Sequence, residues 1–93
     1  MQIKQEDNGN KGRFYIVLDG SVAAEMTYVW AGNTRFIIDH TEVSPVLKGK
    51  GAGKELVAFA VDYARKNHVK ITPLCPFAQS VFDKTPEYAD VLM

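Results

Sequence analysis

Between Val43 and Leu56 the chain reads Val43-Ser44-Pro45-Val46-Leu47-Lys48-Gly49-Lys50-Gly51-Ala52-Gly53-Lys54-Glu55-Leu56. Three glycines alternate with small or basic residues, after a β-like run and before a helix-like run. Glycines leave backbone N–H groups uncovered, and at a helix N-terminus such groups form an anion site. Lys48, Lys50 and Lys54 are the one local basic cluster, and they flank these glycines. The chemistry implied is the holding of a phosphate or pyrophosphate.

Spacing narrows the ligand. A Walker A loop needs glycine, four residues, then Gly-Lys-Ser/Thr. Counting back from Gly53-Lys54, the first glycine falls on Lys48 and the magnesium-binding hydroxyl on Glu55. Both positions fail, which argues against a nucleotide triphosphatase. A Rossmann fingerprint spaces its glycines unevenly and belongs to a larger domain. Gly49, Gly51 and Gly53 are evenly spaced.

The elements around the loop follow from pattern. Gln2 to Glu6 is a short first strand before the turn cluster Asp7-Asn8-Gly9-Asn10. Arg13 to Leu18 is rich in β-branched and aromatic residues, and Asp19-Gly20 supplies the positive φ of a tight hairpin. Val22 to Trp30 and Arg35 to Val43 are the next two strands, joined through Ala31-Gly32-Asn33-Thr34. From Ala52 the period changes: Leu56, Val57, Phe59, Ala60, Tyr63 and Ala64 recur at helical spacing as far as His68. Val69 to Thr72 is a fifth strand, Pro73 and Pro76 force a sharp turn, and Phe77 to Lys84 is a short helix. Strand, loop, helix, strand is a βαβ unit with a right-handed crossover. The expected fold is therefore α/β, a mixed sheet whose antiparallel N-terminal meander leads into that unit.

Ninety-three residues make one domain, residues 1–93. Eleven basic and eleven acidic residues give a formal net charge of zero. That argues against a nucleic-acid partner, whose affinity comes largely from neutralising phosphates; a small anion fits the lysine cluster better. The single cysteine, Cys75, excludes an internal disulfide, and two histidines without an acidic cluster do not support a metal site. No segment has the length of a membrane span, and the N-terminus lacks a signal-peptide core. The expected setting is the reducing cytoplasm.

The loop Lys48-Gly49-Lys50-Gly51-Ala52-Gly53 resembles the acetyl-coenzyme A loop of the GNAT N-acetyltransferases, Gln/Arg-x-x-Gly-x-Gly/Ala between the fourth strand and a long helix. Lysine replaces the first residue, keeping the charge and losing the planar head. With His40-Thr41-Glu42-Val43 and Pro73-Leu74-Cys75-Pro76-Phe77, the likeness is closer to a short subgroup, the N-acetyltransferase domain-containing protein 1 type. It covers roughly Arg35 to Tyr88. The resemblance implies a splayed sheet in which strands four and five separate to admit the pantetheine arm of acetyl-CoA. Backbone groups at Val43 would pair with that arm, and the amides from Gly49 to Gly53 would hold the pyrophosphate.

Acetyl transfer to an amine needs a base, a group to hold the oxyanion and a proton for the departing thiolate. Glu42, near the end of the fourth strand, is a candidate base, and His40 a second candidate. Strict alternation places Phe36, Ile38, His40 and Glu42 on one face, with Ile37, Asp39, Thr41 and Val43 on the other. The rival reading is a solvated strand end. Cys75, between two prolines, could be a proton donor, an acyl acceptor or a small apolar wall residue. The tyrosine that usually donates the proton in this family is missing from Phe77 to Lys84; Tyr88 lies further on. His68 and Lys54 have ordinary alternatives as a helix terminus and a solvated face, and Trp30 and Phe14 read as core or subunit contacts.

Two functions follow: acetyl transfer to an amine acceptor, or coenzyme A binding with little transfer. A cofactor-free interaction protein would reduce the glycines to a tight turn. Glu6 to Gly12 is too short for the helices that shape the acceptor pocket in longer relatives. The acceptor site is then open to a large amine, such as a protein lysine or N-terminus, or completed by a second subunit in a homodimer.

Overall fold

A computed structural model describes all residues, Met1–Met93. Five strands, β1 (Lys4–Asp7), β2 (Lys11–Leu18), β3 (Ser21–Trp30), β4 (Arg35–Val43) and β5 (Lys70–Pro73), form one sheet in sequence order. The first three pairings are antiparallel and β4–β5 is parallel. Helix α1 (Ala52–Asn67) makes the crossover, and α2 (Pro76–Lys84) follows β5. The mixed α/β fold expected from the sequence is the fold observed.

Local chemistry explains the joints. Asp19 and Gly20 both have positive φ, 51° and 81°, which matches the twist of a two-residue hairpin. His68 ends α1 in a left-handed conformation, its N–H donating to the Ala64 carbonyl. Pro76 opens α2, where its missing N–H costs nothing.

One face of the sheet carries the core. Phe14, Tyr28 and Phe36 from three adjacent strands stack there, with ring centroids 5.0 Å apart for Phe14–Tyr28 and 4.7 Å for Tyr28–Phe36. Phe59 and Tyr63 of α1 pack edge-on against Phe14 from above. Phe14 is core, and Trp30 packs against the core while donating its indole N–H to Asp7. Gly12 is required beneath this layer, because a Cβ there would lie 2.5 Å from the Tyr28 hydroxyl. No helix covers the opposite face, since β1 and β2 are joined by a tight turn.

Two details differ from the sequence reading, and the tail adds a third element. β1 extends through Asp7, whose carboxylate accepts hydrogen bonds from Tyr28 (2.6 Å) and Trp30 (2.8 Å) as well as the Gly9 N–H. Pro73 belongs to β5 rather than to the turn after it. The tail forms a 3-10 turn, Pro86–Val91, and Leu92 bridges Ile71 beside β5. No helix is long and apolar enough to cross a membrane.

Candidate active site

A β-bulge organises the site. β3 and β4 stay in register from Trp30↔Phe36 to Tyr28↔Ile38, then resume at Thr27↔His40, so Asp39 is the extra residue. The bulge shifts the alternation by one. Phe36 and Ile38 face the core, but past the bulge Thr41 and Val43 take that face, opposite Met26 and Ala24. His40 and Glu42 remain together, but on the uncovered face, which corrects the expectation that they follow Phe36 and Ile38. Both are exposed, and neither joins any of the four ion pairs.

The same point ends the β4–β5 ladder. Parallel pairing runs from Arg35↔Lys70 to Ile38↔Pro73. The Leu74 and Cys75 N–H groups both donate to the Ile38 carbonyl, at 3.0 Å each, and the chain then turns into α2. β4 continues to Val43 with β3 as its only partner. Because Ser44 donates to Ala23 (2.8 Å), strand alternation points the Val43 and Thr41 backbone groups away from β3, into the gap. Across the gap, the Cys75 thiol lies 3.3 Å from the Thr41 hydroxyl oxygen. Cys75 is buried, so the structure joins it to Thr41 rather than to Glu42 or His40.

The glycine loop lies at the end of this gap. After a 3-10 turn at Pro45–Leu47, Gly49 and Gly51 adopt φ of 79° and 75°, which only glycine takes without strain. The N–H groups of Gly49 and Gly51 donate to no backbone carbonyl. Those of Ala52, Gly53 and Lys54 precede the first intrahelical bond, from the Glu55 N–H to the Gly51 carbonyl, and no side chain caps the helix. A cleft of about 440 Å³ opens over these amides, lined by Val43, Leu47, Lys48, Gly49, Gly53 and Phe77 among others. Phe77 lies so close over Gly53 that a Cβ there would be 2.5 Å from its ring. Lys48 and Lys54 line the cleft, Lys50 stands between Gly49 and Gly51, and all three are exposed and enter no ion pair. Free donors, positive charge and a helix N-terminus converge on one concave surface, which fits a pyrophosphate.

Tyr88 is not part of this arrangement. It packs on Phe82 of α2 (5.8 Å) and under the Arg65 guanidinium (5.9 Å). Arg65 is near the C-terminal end of α1, about 20 Å along the helix from Ala52. A larger groove, about 550 Å³, lies away from the glycines on the uncovered face and includes Asp39. The sequence reading missed it because the groove joins residues from β1 to β4 that lie far apart in the chain.

The fold is shared with known acetyltransferases. The solution structure of a GCN5-like candidate N-acetyltransferase from Staphylococcus aureus is 38% identical, with 97% of this chain and 87% of that one covered and a TM-score of 0.74. The ribosomal-protein-S18-alanine N-acetyltransferase from Escherichia coli shares the fold at 16% identity and a TM-score of 0.67, over 84% of this chain and 53% of its own. An aminoglycoside N-acetyltransferase, AAC(6')-Iy, solved with CoA, does so at 11% identity and a TM-score of 0.63, over 89% and 88%. No curated protein matches significantly. The GCN5-related N-acetyltransferase family matches residues 13–91, and the chain belongs to that family.

Proposed function

We propose that the protein is an acetyl-CoA-dependent N-acetyltransferase acting on an amine, possessed of a peptide- or protein-sized acceptor because nothing roofs the sheet. One observation carries this reading: the gap past Ile38 and the glycine cleft are continuous through Val43, which borders both. A ligand with a strand-like arm and a pyrophosphate end fits that shape. The amides from Gly49 to Gly53 hold the pyrophosphate, Lys48, Lys50 and Lys54 neutralise it, and the Thr41 and Val43 backbone groups pair with the arm. Bound acetyl-CoA supplies an activated thioester. Glu42, with His40 beside it, receives the acceptor's proton from the uncovered face. Cys75, held by Thr41, is the thiol placed to return a proton to the sulfur side of the gap. A reducing, cytoplasmic setting accords with the single free cysteine, Cys75.

A second reading, coenzyme A binding without transfer, is favoured by the absence of a tyrosine from Phe77 to Lys84 and by the position of Tyr88, packed on Phe82 away from the gap. Calorimetric titration with acetyl-CoA, followed by intact-mass analysis, tests the first link. Micromolar binding with no added mass is expected. An acetyl adduct lost in Cys75→Ala would make the cysteine an acyl acceptor, and no binding would overturn both readings. Product formation on amine acceptors separates the enzyme from the binding module.

A further inference from the structure

We propose that β1 is a self-association edge: two copies of this chain pair their β1 strands antiparallel, about a two-fold axis at Gln5, and join their sheets into one.

The two edges of the sheet differ. β5 is covered on its outer side, where Leu92 bridges Ile71 and the Met93 N–H donates to the Ile71 carbonyl at 2.9 Å. β1 has β2 on one side and no strand on the other. Its register with β2 runs unbroken over Lys4–Asp7, without a bulge or a proline to turn a partner away. The Asn8 N–H donates to the Lys11 carbonyl at 3.0 Å, so alternation aims the Glu6 and Lys4 main-chain groups at β2. Those of Ile3, Gln5 and Asp7 point outward, free to pair with another strand.

Charge selects both partner and register. Antiparallel self-pairing through the outward groups can set Gln5 opposite Ile3, Gln5 or Asp7 of a second copy. The first puts Lys4 opposite Lys4 and the last puts Glu6 opposite Glu6, and like charges directly opposite repel. Gln5 opposite Gln5 puts Lys4 opposite Glu6 twice, once on each side of the axis. Lys4 is exposed and enters no ion pair. Glu6, although bonded to Arg13, keeps 58% of its side chain exposed. Both lie on the uncovered face, whereas Gln5 donates to the Tyr28 hydroxyl on the other. There a hollow of about 350 Å³, lined by Met1, Ile3, Glu55, Ala58 and Phe59, adjoins β1. The pairing brings two such apolar hollows to either side of the axis. The contact is isologous and closes at two copies, and β1 is short, so the dimer is weak and concentration-dependent. The β4–β5 gap, at the far side of each sheet, stays open.

Sedimentation equilibrium over a concentration series, with amide-resolved NMR on dilution, tests this. Mass is expected to rise from monomer toward dimer, with shifts at Ile3 to Asp7 and at Phe59. Lys4→Glu places like charges opposite at two points and should weaken association roughly tenfold. Lys4→Glu with Glu6→Lys should restore it, and Lys84→Glu, an equal charge change on α2, should leave it at wild-type strength. Gln5→Pro removes an outward N–H, leaves the β1–β2 ladder intact and should also weaken association. A monomer at every concentration, a dimer whose shifts lie on other surfaces, or wild-type association in Lys4→Glu or Gln5→Pro overturns the proposal.

Discussion

The two halves of β4 obey different rules. Arg35 to Ile38 is paired on both sides, with Phe36 and Ile38 fully buried in the aromatic core. Asp39 to Val43 is paired on one side, carries exposed His40 and Glu42, and faces a gap. One extra residue separates them. The β4–β5 ladder stops beside the bulge, which turns His40 and Glu42 to the open face, so a single strand is both core and wall of the gap. Bulges recur next to active sites because they re-aim side chains without unmaking the sheet.

If this division holds, mutations in the halves should separate stability from function. The largest effect is expected in the first half. Phe36→Ala should cost about 3–5 kcal/mol, measured by urea unfolding, which is a large share of the stability of a small domain. Glu42→Gln should change stability by less than about 0.5 kcal/mol while reducing transfer. A comparable loss of stability in both would break the comparison.

Next in size is the loop that continues the second half. Gly53→Ala places a methyl against the Phe77 ring and should weaken acetyl-CoA roughly tenfold by pushing that ring into the cleft, about 1.4 kcal/mol. At Gly51 there is room for a Cβ, but φ is 75°. Gly51→Ala should therefore cost about 1–2 kcal/mol through backbone strain, read as a drop in unfolding midpoint. Thr41→Val leaves Cys75 without its partner and should cost about 1 kcal/mol.

The smallest effect concerns pH at the far edge of the structural half, where Tyr28 pairs with Ile38. Burial pushes the Tyr28 hydroxyl well above its usual range, reinforced by its hydrogen bond to Asp7. For Asp7, burial acts upward, but hydrogen bonds from Tyr28, Gly9 and Trp30 outweigh it and hold the carboxyl below its ordinary value. A depressed carboxyl stabilises the fold above its unfolded value, about 3.9, and that contribution is lost as pH falls through the folded value. Acid titration of unfolding should show a shallower loss below about pH 4 in Asp7→Asn. The difference should be small, because Asp7 is solvent-exposed.

Much of this was legible in the residues. The bounds of β4, the Asp19-Gly20 hairpin, the glycine loop and the start of α1 follow from period and turn chemistry. The bulge was not, because Asp39 is neither glycine nor proline and alternation across it looks unbroken. Misplacing the face of His40 and Glu42 followed from that one residue. The Thr41–Cys75 contact joins residues 34 positions apart, which no local pattern encodes. Asp7 read as turn because aspartate favours turns, whereas here its carboxylate anchors Tyr28 and Trp30.

The most direct test of the account is an amide-resolved NMR titration with acetyl-CoA. The account predicts large shifts at Thr41, Val43 and Gly49 to Gly53, with Arg35 to Ile38 little changed. Shifts confined to other surfaces, or none, would contradict the assignment of the gap and glycine cleft as the co-substrate site.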